Sequence, residues 1–130
     1  MMKGRQIVLG VTGGIAVYKA AEFVRLLAKA EANVHVIMTR NAQEFVTPLT
    51  FQTLSGNPVA TETFALLEES RIGHVALADL AELIVILPAT ANIIGKIANG
   101  IADDFLSTTV MASKAPVLIV PSMNVNMWEN

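Results

Sequence analysis

Four short runs dictate most of what this chain can become. Residues 6–11 (QIVLGV), 33–39 (NVHVIMT), 83–87 (LIVIL) and 117–120 (VLIV) are apolar almost throughout and rich in β-branched side chains. A strand with one wet face would alternate apolar and polar residues; these runs do not, so they read as strands covered on both faces. Between the first two, Ala16, Ala20, Phe23, Val24 and Leu27 fall on one face of a helix, while Glu22, Arg25 and Lys29 point largely away from it. Two further helical stretches, 91–98 and 103–112, precede the last run. Strands alternating with helices predict a parallel sheet with right-handed crossovers. The expected fold is therefore an open doubly wound α/β sheet, Rossmann-like or flavodoxin-like, in three αβα layers, with residues 1–130 as a single domain. The first helix must end within Lys29-Ala30-Glu31-Ala32-Asn33, where no glycine is available for a left-handed cap.

Composition agrees with a sheet buried on both faces: 53% of residues are apolar and 15% charged, against about a quarter charged in an average protein. A net charge of −2 gives no general electrostatic reason to bind nucleic acid or an anionic membrane. No apolar run approaches the roughly 18 residues of a membrane span, and the opening MMKGRQIVLGV runs straight into a strand pattern rather than a signal peptide. There is no cysteine, which excludes disulfides, thiolate metal sites and a thiol nucleophile in this chain and fits a cytoplasmic location.

Open parallel sheets bind ligands beyond the carboxyl ends of their strands, so the residues after each run are the candidates. Thr12-Gly13-Gly14-Ile15-Ala16 follows the first and opens a helix; paired glycines allow close backbone approach, and a helix N-terminus offers N–H groups to an anion. The spacing is not that of a dinucleotide fingerprint. After the second run stands Thr39-Arg40-Asn41, with no acidic residue for a ribose diol; a hydroxyl and a cation suit a phosphate, so a mononucleotide is favoured over NAD. A tight turn without ligand remains the alternative. Pro88-Ala89-Thr90-Ala91-Asn92 after the third run leaves room for a flat ring and hydrogen bonds to its edge, or is ordinary capping by Thr90. His74, beside Gly73 at an expected helix start, is either a base acting near neutral pH or a structural residue. His35 reads as a strand residue, Asp103-Asp104 as a helix cap, and Glu68-Glu69 as a solvated face. The terminal PSMNVNMWEN is too polar to extend the core and too rich in large side chains for an idle loop.

The segments GVTGGIAVYKA, FVTPLTFQTLSGNPV, GHVALADLAELIVILPATAN, KIANGIADDFLSTT and PSMNVNMWEN, in that order and over nearly the whole chain, closely resemble the amino-terminal flavoprotein domain of bacterial phosphopantothenoylcysteine decarboxylase, one of the flavin-dependent cysteine decarboxylases. The resemblance implies an FMN cofactor, with Gly13, Gly14 and Ile15 in the glycine loop, Thr39 after the second strand, and Thr90, Ala91 and Asn92 in the PATAN segment. It places His74 as the catalytic histidine, Asn124 as the asparagine that holds the substrate carboxylate, and Met127 beside the substrate. Ile93 stands where a threonine is frequent, removing one expected hydrogen bond to the flavin. Met123, Met127 and Trp128 are expected at a subunit boundary or near the flavin, with closure of the core as the alternative.

The implied chemistry begins with oxidation of the thiol-bearing carbon, since a cysteine carboxylate cannot lose CO2 until the carbanion has an electron sink. The resulting thiocarbonyl is that sink, and decarboxylation gives an enethiolate. The expected substrate is 4′-phosphopantothenoylcysteine and the product 4′-phosphopantetheine, in coenzyme A synthesis. Family members continue past PxMNxxMW into a segment whose cysteine reprotonates the product; this chain has no cysteine. The expectation is a truncated domain, or one completed by a partner chain, that is limited to oxidative decarboxylation when alone. Members form trimers or dodecamers of trimers, so homo-oligomerisation is expected. The alternatives are a peptidyl-cysteine decarboxylase and a flavin-binding regulatory or assembly protein. A flavin prenyltransferase of the same fold is disfavoured by the His74 and Asn124 pair.

Overall fold

The computed structural model describes residues 1–61 and 73–130, with His74 described in its backbone alone. Four strands, β1 (Gln6–Val11), β2 (Asn33–Met38), β3 (Leu83–Ala89) and β4 (Val117–Pro121), form one sheet in the order β2-β1-β3-β4, with every pairing parallel. The helices are α1 (Val17–Lys29), α2 (Pro48–Ser55), α3 (His74–Leu80), α4 (Ala91–Ala98), α5 (Phe105–Ala112) and α6 (Val125–Glu129), with a 3-10 turn at Asn41–Glu44. The expected open α/β sheet is thus the observed one, and β3 and β4 each run further than their apolar runs suggested.

Side-chain alternation along the strands builds two cores. Ile7, Leu9 and Val11 of β1, with Val34, Val36 and Met38 of β2, meet Val17, Ala20, Val24 and Leu27 of α1 and Phe51 of α2. Val8, Ile37, Ile84 and Ile86 face the other way, against Leu77 of α3, Ile93 of α4, and Phe105 and Leu106 of α5. This is the three-layer arrangement, and it explains why the strand runs lack polar residues. Full burial of a side chain such as Val24 or Leu27 contributes on the order of 1.5–3 kcal/mol. In α1, Val17 rather than Ala16 begins the buried stripe, and Phe23 is half-buried at its edge.

Helix ends follow the local chemistry. The N–H of Ala32 bonds the carbonyl of Leu27, and that of Glu31 the carbonyl of Ala28, the paired bonds of a Schellman motif. Glu31 adopts φ 67° to make them, as the absence of glycine foretold. Asp104 caps α5 in a capping box: its Oδ1 accepts from Ser107 N–H at 2.7 Å, and Ser107 Oγ accepts from Asp104 N–H at 3.1 Å. Helix α2 was missed by periodicity although its punctuation is plain: Thr47 at the N-cap, Pro48 at the first position and Gly56 at φ 74° after the end. Among the described residues no helix is long and apolar enough to cross a membrane.

Candidate functional site

Chain order and spatial order part company at β1: the chain goes from β1 to β2 on one side, then returns to place β3 on the other. Crevices in parallel sheets open at such a reversal. Here the turns after β1 and β3 lie side by side and border a cavity of about 310 Å³ lined by Thr12, Gly13, Thr39, Arg40, Asn41, Thr90, Ala91, Asn92, Ile93, Lys96, Asp104 and Met127.

The glycine turn sits tightly in its surroundings. A Cβ at Gly13 would lie 2.5 Å from Asn41 Cβ, whereas one at Gly14 would meet only Pro88 Cγ at 3.9 Å. Helix α1 then begins with no side chain capping its first turn; the Val17 and Lys19 N–H groups donate instead to the Gly14 and Ala16 carbonyls, at 3.1 and 2.9 Å. Thr39 is already engaged, its Oγ1 accepting from Ala42 N–H at 3.2 Å. Arg40 is exposed at the rim and forms no ion pair among the described residues. Thr90 caps α4, accepting from Ile93 N–H at 3.3 Å, and Ile93 turns its side chain into the core. A hydroxyl joins the two adjacent turns: Thr12 Oγ1 donates to the Pro88 carbonyl at 2.5 Å and accepts from Thr90 N–H at 3.2 Å.

The opposite wall is charged. Lys96 Nζ lies 2.9 Å from Asp103 Oδ1 and 3.7 Å from Asp104 Oδ2. The Asp103 hydrogen bond, more than the charge of Asp104, raises the lysine's pKa above its ordinary value, and Lys96 in turn lowers that of Asp103. The pair of aspartates is therefore one cap and one counter-ion; among the described residues no cluster of three or more His, Asp or Glu could hold a metal ion.

The structure brings Gly13, Thr39, Thr90, Ala91, Asn92 and Met127 to one cavity. Gly14 adjoins it, and Ile15 is 79% exposed outside the lining. Asn124 starts α6, which periodicity also missed; its Oδ1 accepts from Met127 N–H at 2.9 Å. Asn124 itself is exposed and is not among the residues that line the cavity. Met127 and Trp128 are 50% and 64% exposed, so closure of the core is not their role. His74 is the first residue of α3, and its side chain lies outside the description, as do Glu68 and Glu69. Sequence reasoning placed Thr12 in a candidate turn without giving it a role of its own, and overlooked Lys96 and Asp104 as lining residues. For Thr12 the available signal was its position directly before the glycines; for Lys96 it was the spacing to Asp103 across a short loop.

The family model for the flavoprotein family matches residues 1–130. The coenzyme A biosynthesis bifunctional protein CoaBC of Bacillus subtilis (strain 168) is 55% identical over 130 residues, which is 100% of this chain and 32% of that protein. The chain thus spans about a third of the length of the curated relatives it matches. Among solved structures, the FMN-dependent cysteine decarboxylase SpaF superposes with TM-score 0.88 at 31% identity, over 100% of this chain and 75% of that one. MrsD from Bacillus sp. HIL-Y85/54728 gives 0.88 at 28%, over 99% and 74%.

Proposed function

Since the chain belongs to the flavoprotein family, we propose that residues 1–130 form an FMN-binding unit that carries out the oxidative decarboxylation of 4′-phosphopantothenoylcysteine on the route to 4′-phosphopantetheine. The observation that carries this reading is the convergence of Gly13, Thr39, Thr90, Ala91 and Asn92 on one cavity in a chain 55% identical to a coenzyme A biosynthesis protein.

The donor set fits the cofactor's two ends. The positive end of α1, which no side chain caps, the side-chain-free Gly13 and Gly14, and the cation of Arg40 suit a phosphate. Thr90, Ala91 and Asn92 present little bulk and one amide, suiting the edge of a flat ring; Ile93, turned into the core, adds no polar contact. Bound FMN supplies the two-electron acceptor that a cysteine substrate needs before it can lose CO2.

The chain's own residues orient and exchange protons. Asn124 holds its carbonyl oxygen on the α6 cap, which fixes the amide so that Nδ2 can donate to the substrate carboxylate. A neutral amide positions that group without the strong ground-state stabilisation a cation would give. His74, at the head of α3, is the proton carrier in this reading, a role assigned from the family resemblance. Met127, on the first turn of α6, contributes the apolar contact beside the substrate.

Self-association belongs to the same proposal: Ile15, Tyr18, Met127 and Trp128 are large and at least half exposed, Met127 at the cavity itself, and large exposed apolar side chains of this kind support an interface. Trimers, or dodecamers of trimers, acting in the cytoplasm are the proposed form, with neither nucleic acid nor membrane as partner. The test is the visible spectrum of the purified chain with chromatographic identification of any released chromophore, followed by CO2 release from 4′-phosphopantothenoylcysteine. Bound FMN with turnover supports the reading. A colourless chain that refuses added FMN overturns it, and turnover of a cysteine-terminated peptide alone would transfer it to peptidyl substrates.

A further inference from the structure

We infer that Thr12 is a positioning residue, a strap that sets the distance between the two ends of the flavin site; the inference rests on the cofactor reading above. Its basis is an interruption in the sheet. The β1–β3 ladder runs from Ile7 opposite Leu83 to Gly10 opposite Ile86, and the same register carried two residues on brings Thr12 opposite Pro88. Proline has no N–H, so the backbone ladder cannot continue through it. The β3–β4 pairing is irregular over the same stretch, between Ile86 and Ala89.

The Thr12 hydroxyl takes over where the ladder stops. It donates to the Pro88 carbonyl at 2.5 Å and accepts from Thr90 N–H at 3.2 Å, across a separation of more than 70 residues in sequence, and the residue is 2% exposed. One hydroxyl thus uses its donor and one lone pair. The chain of bonds continues, because Thr90 Oγ1 accepts from Ile93 N–H at 3.3 Å and so ties the strap into the first turn of α4. On the other side, Thr12 is bonded to Gly13, which lies against Asn41. The turns after β1 and β3 are thereby tied through one side chain that contributes little of its own surface, while the turn after β2 is held to β1 by the Thr39 N–H, which donates to the Val11 carbonyl at 3.0 Å. A valine there would match the shape and abolish both bonds, leaving a buried carbonyl and a part-buried N–H without this partner.

The experiment compares wild type, Thr12→Val and Thr12→Ser. FMN dissociation constants are measured by flavin fluorescence, bound flavin geometry by visible circular dichroism, and apo-protein melting separately. Thr12→Val is expected to weaken FMN binding at least tenfold and alter the visible dichroism, while Thr12→Ser stays within threefold of wild type and restores the wild-type band. FMN binding by Thr12→Val within threefold of wild type, with an unchanged band, overturns the inference however far its melting temperature falls. A second measurement needs no variant: exchange of the Thr90 amide in the apo wild-type chain, expected at least a hundredfold slower than an unprotected amide. Exchange at the unprotected rate overturns the strap, and this measurement decides if Thr12→Val does not fold. If wild type itself takes up no FMN, the cofactor reading fails, and amide exchange still tests whether the strap exists.

Discussion

A side chain at Gly13 would collide with Asn41: its Cβ would stand 2.5 Å from Asn41 Cβ and 2.9 Å from the Asn41 carbonyl carbon. The two loops that frame the proposed phosphate end are therefore in contact along their backbones. Gly13→Ala forces one of them to move. Overpacking of this kind costs about 1–3 kcal/mol, and FMN affinity should fall tenfold or more. Urea melts and flavin fluorescence titration measure the two effects. Unaltered FMN affinity in a folded Gly13→Ala protein would remove this turn from the cofactor site.

Asn124 has two jobs that substitution separates. Asp caps a helix about as well as Asn, so Asn124→Asp should leave stability within a few tenths of a kcal/mol of wild type on the same principle. It would, however, aim a negative charge at the substrate carboxylate, and kcat/KM should drop at least a hundredfold. Asn124→Ala loses both the cap, worth about 0.5–2 kcal/mol to the local helix, and the amide. Steady-state kinetics alongside thermal melts make the comparison; an Asn124→Asp enzyme of near wild-type efficiency would contradict the assignment.

Glu31 supplies the left-handed cap residue of α1 at φ 67°. Left-handed geometry costs a residue with a Cβ about 1–2 kcal/mol, partly offset by the greater freedom glycine has in the unfolded chain. Glu31→Gly should accordingly stabilise the protein by up to about 1 kcal/mol. Differential scanning calorimetry would register a melting temperature higher by about 3–5 °C for a domain of this size. A lower melting temperature would mean that Glu31 makes a compensating contact.

Stability should also decline on mild acidification because of His35. Half-burial lowers its pKa below the ordinary 6.5, while its Nε2 sits 3.1 Å from Gln6 Oε1, which also accepts from Asn33 Nδ2 at 2.9 Å. Between the folded and unfolded pKa values the unfolded chain binds more protons, so stability rises with pH through that window. The full contribution is present above about 6.5 and is lost as pH falls below it. Asp103 and Glu82, whose pKa values are lowered by Lys96 and by the Gln6 backbone with Arg5 respectively, weaken only at more acid pH. Denaturant melts between pH 5 and 8 should show this slope in wild type and a flatter one in His35→Gln; parallel curves would discount His35.

What could be read from the sequence was what depends on neighbours along the chain or on a repeating period. Val8 and Leu9 announce a strand buried on both faces because both are apolar, and the structure sends them into different cores. The need for a left-handed residue before Asn33 followed from the lack of glycine, and Asp104 was legible as a cap. Helices α2 and α6 escaped because each is short and carries few buried residues, Phe51 in one and none in the other; such helices are specified by their ends. The Thr12 strap was invisible for a different reason: its partners Pro88 and Thr90 are brought near only by the strand order. The cavity's membership of Lys96 and Asp104 likewise depends on how α4 meets α5.

The Asp104 carboxylate has a further consequence. One oxygen holds the start of α5 and the other faces Lys96 on α4, while Asp103 grips the same ammonium. Helices α4 and α5 are thus joined through one ammonium on that side of the cavity. Helix α6 carries no buried residue, and its Met127 reaches the same cavity. A ligand in the cavity would therefore meet fixed charge from α4 and α5 on one part of its surface and the apolar thioether of Met127 on another.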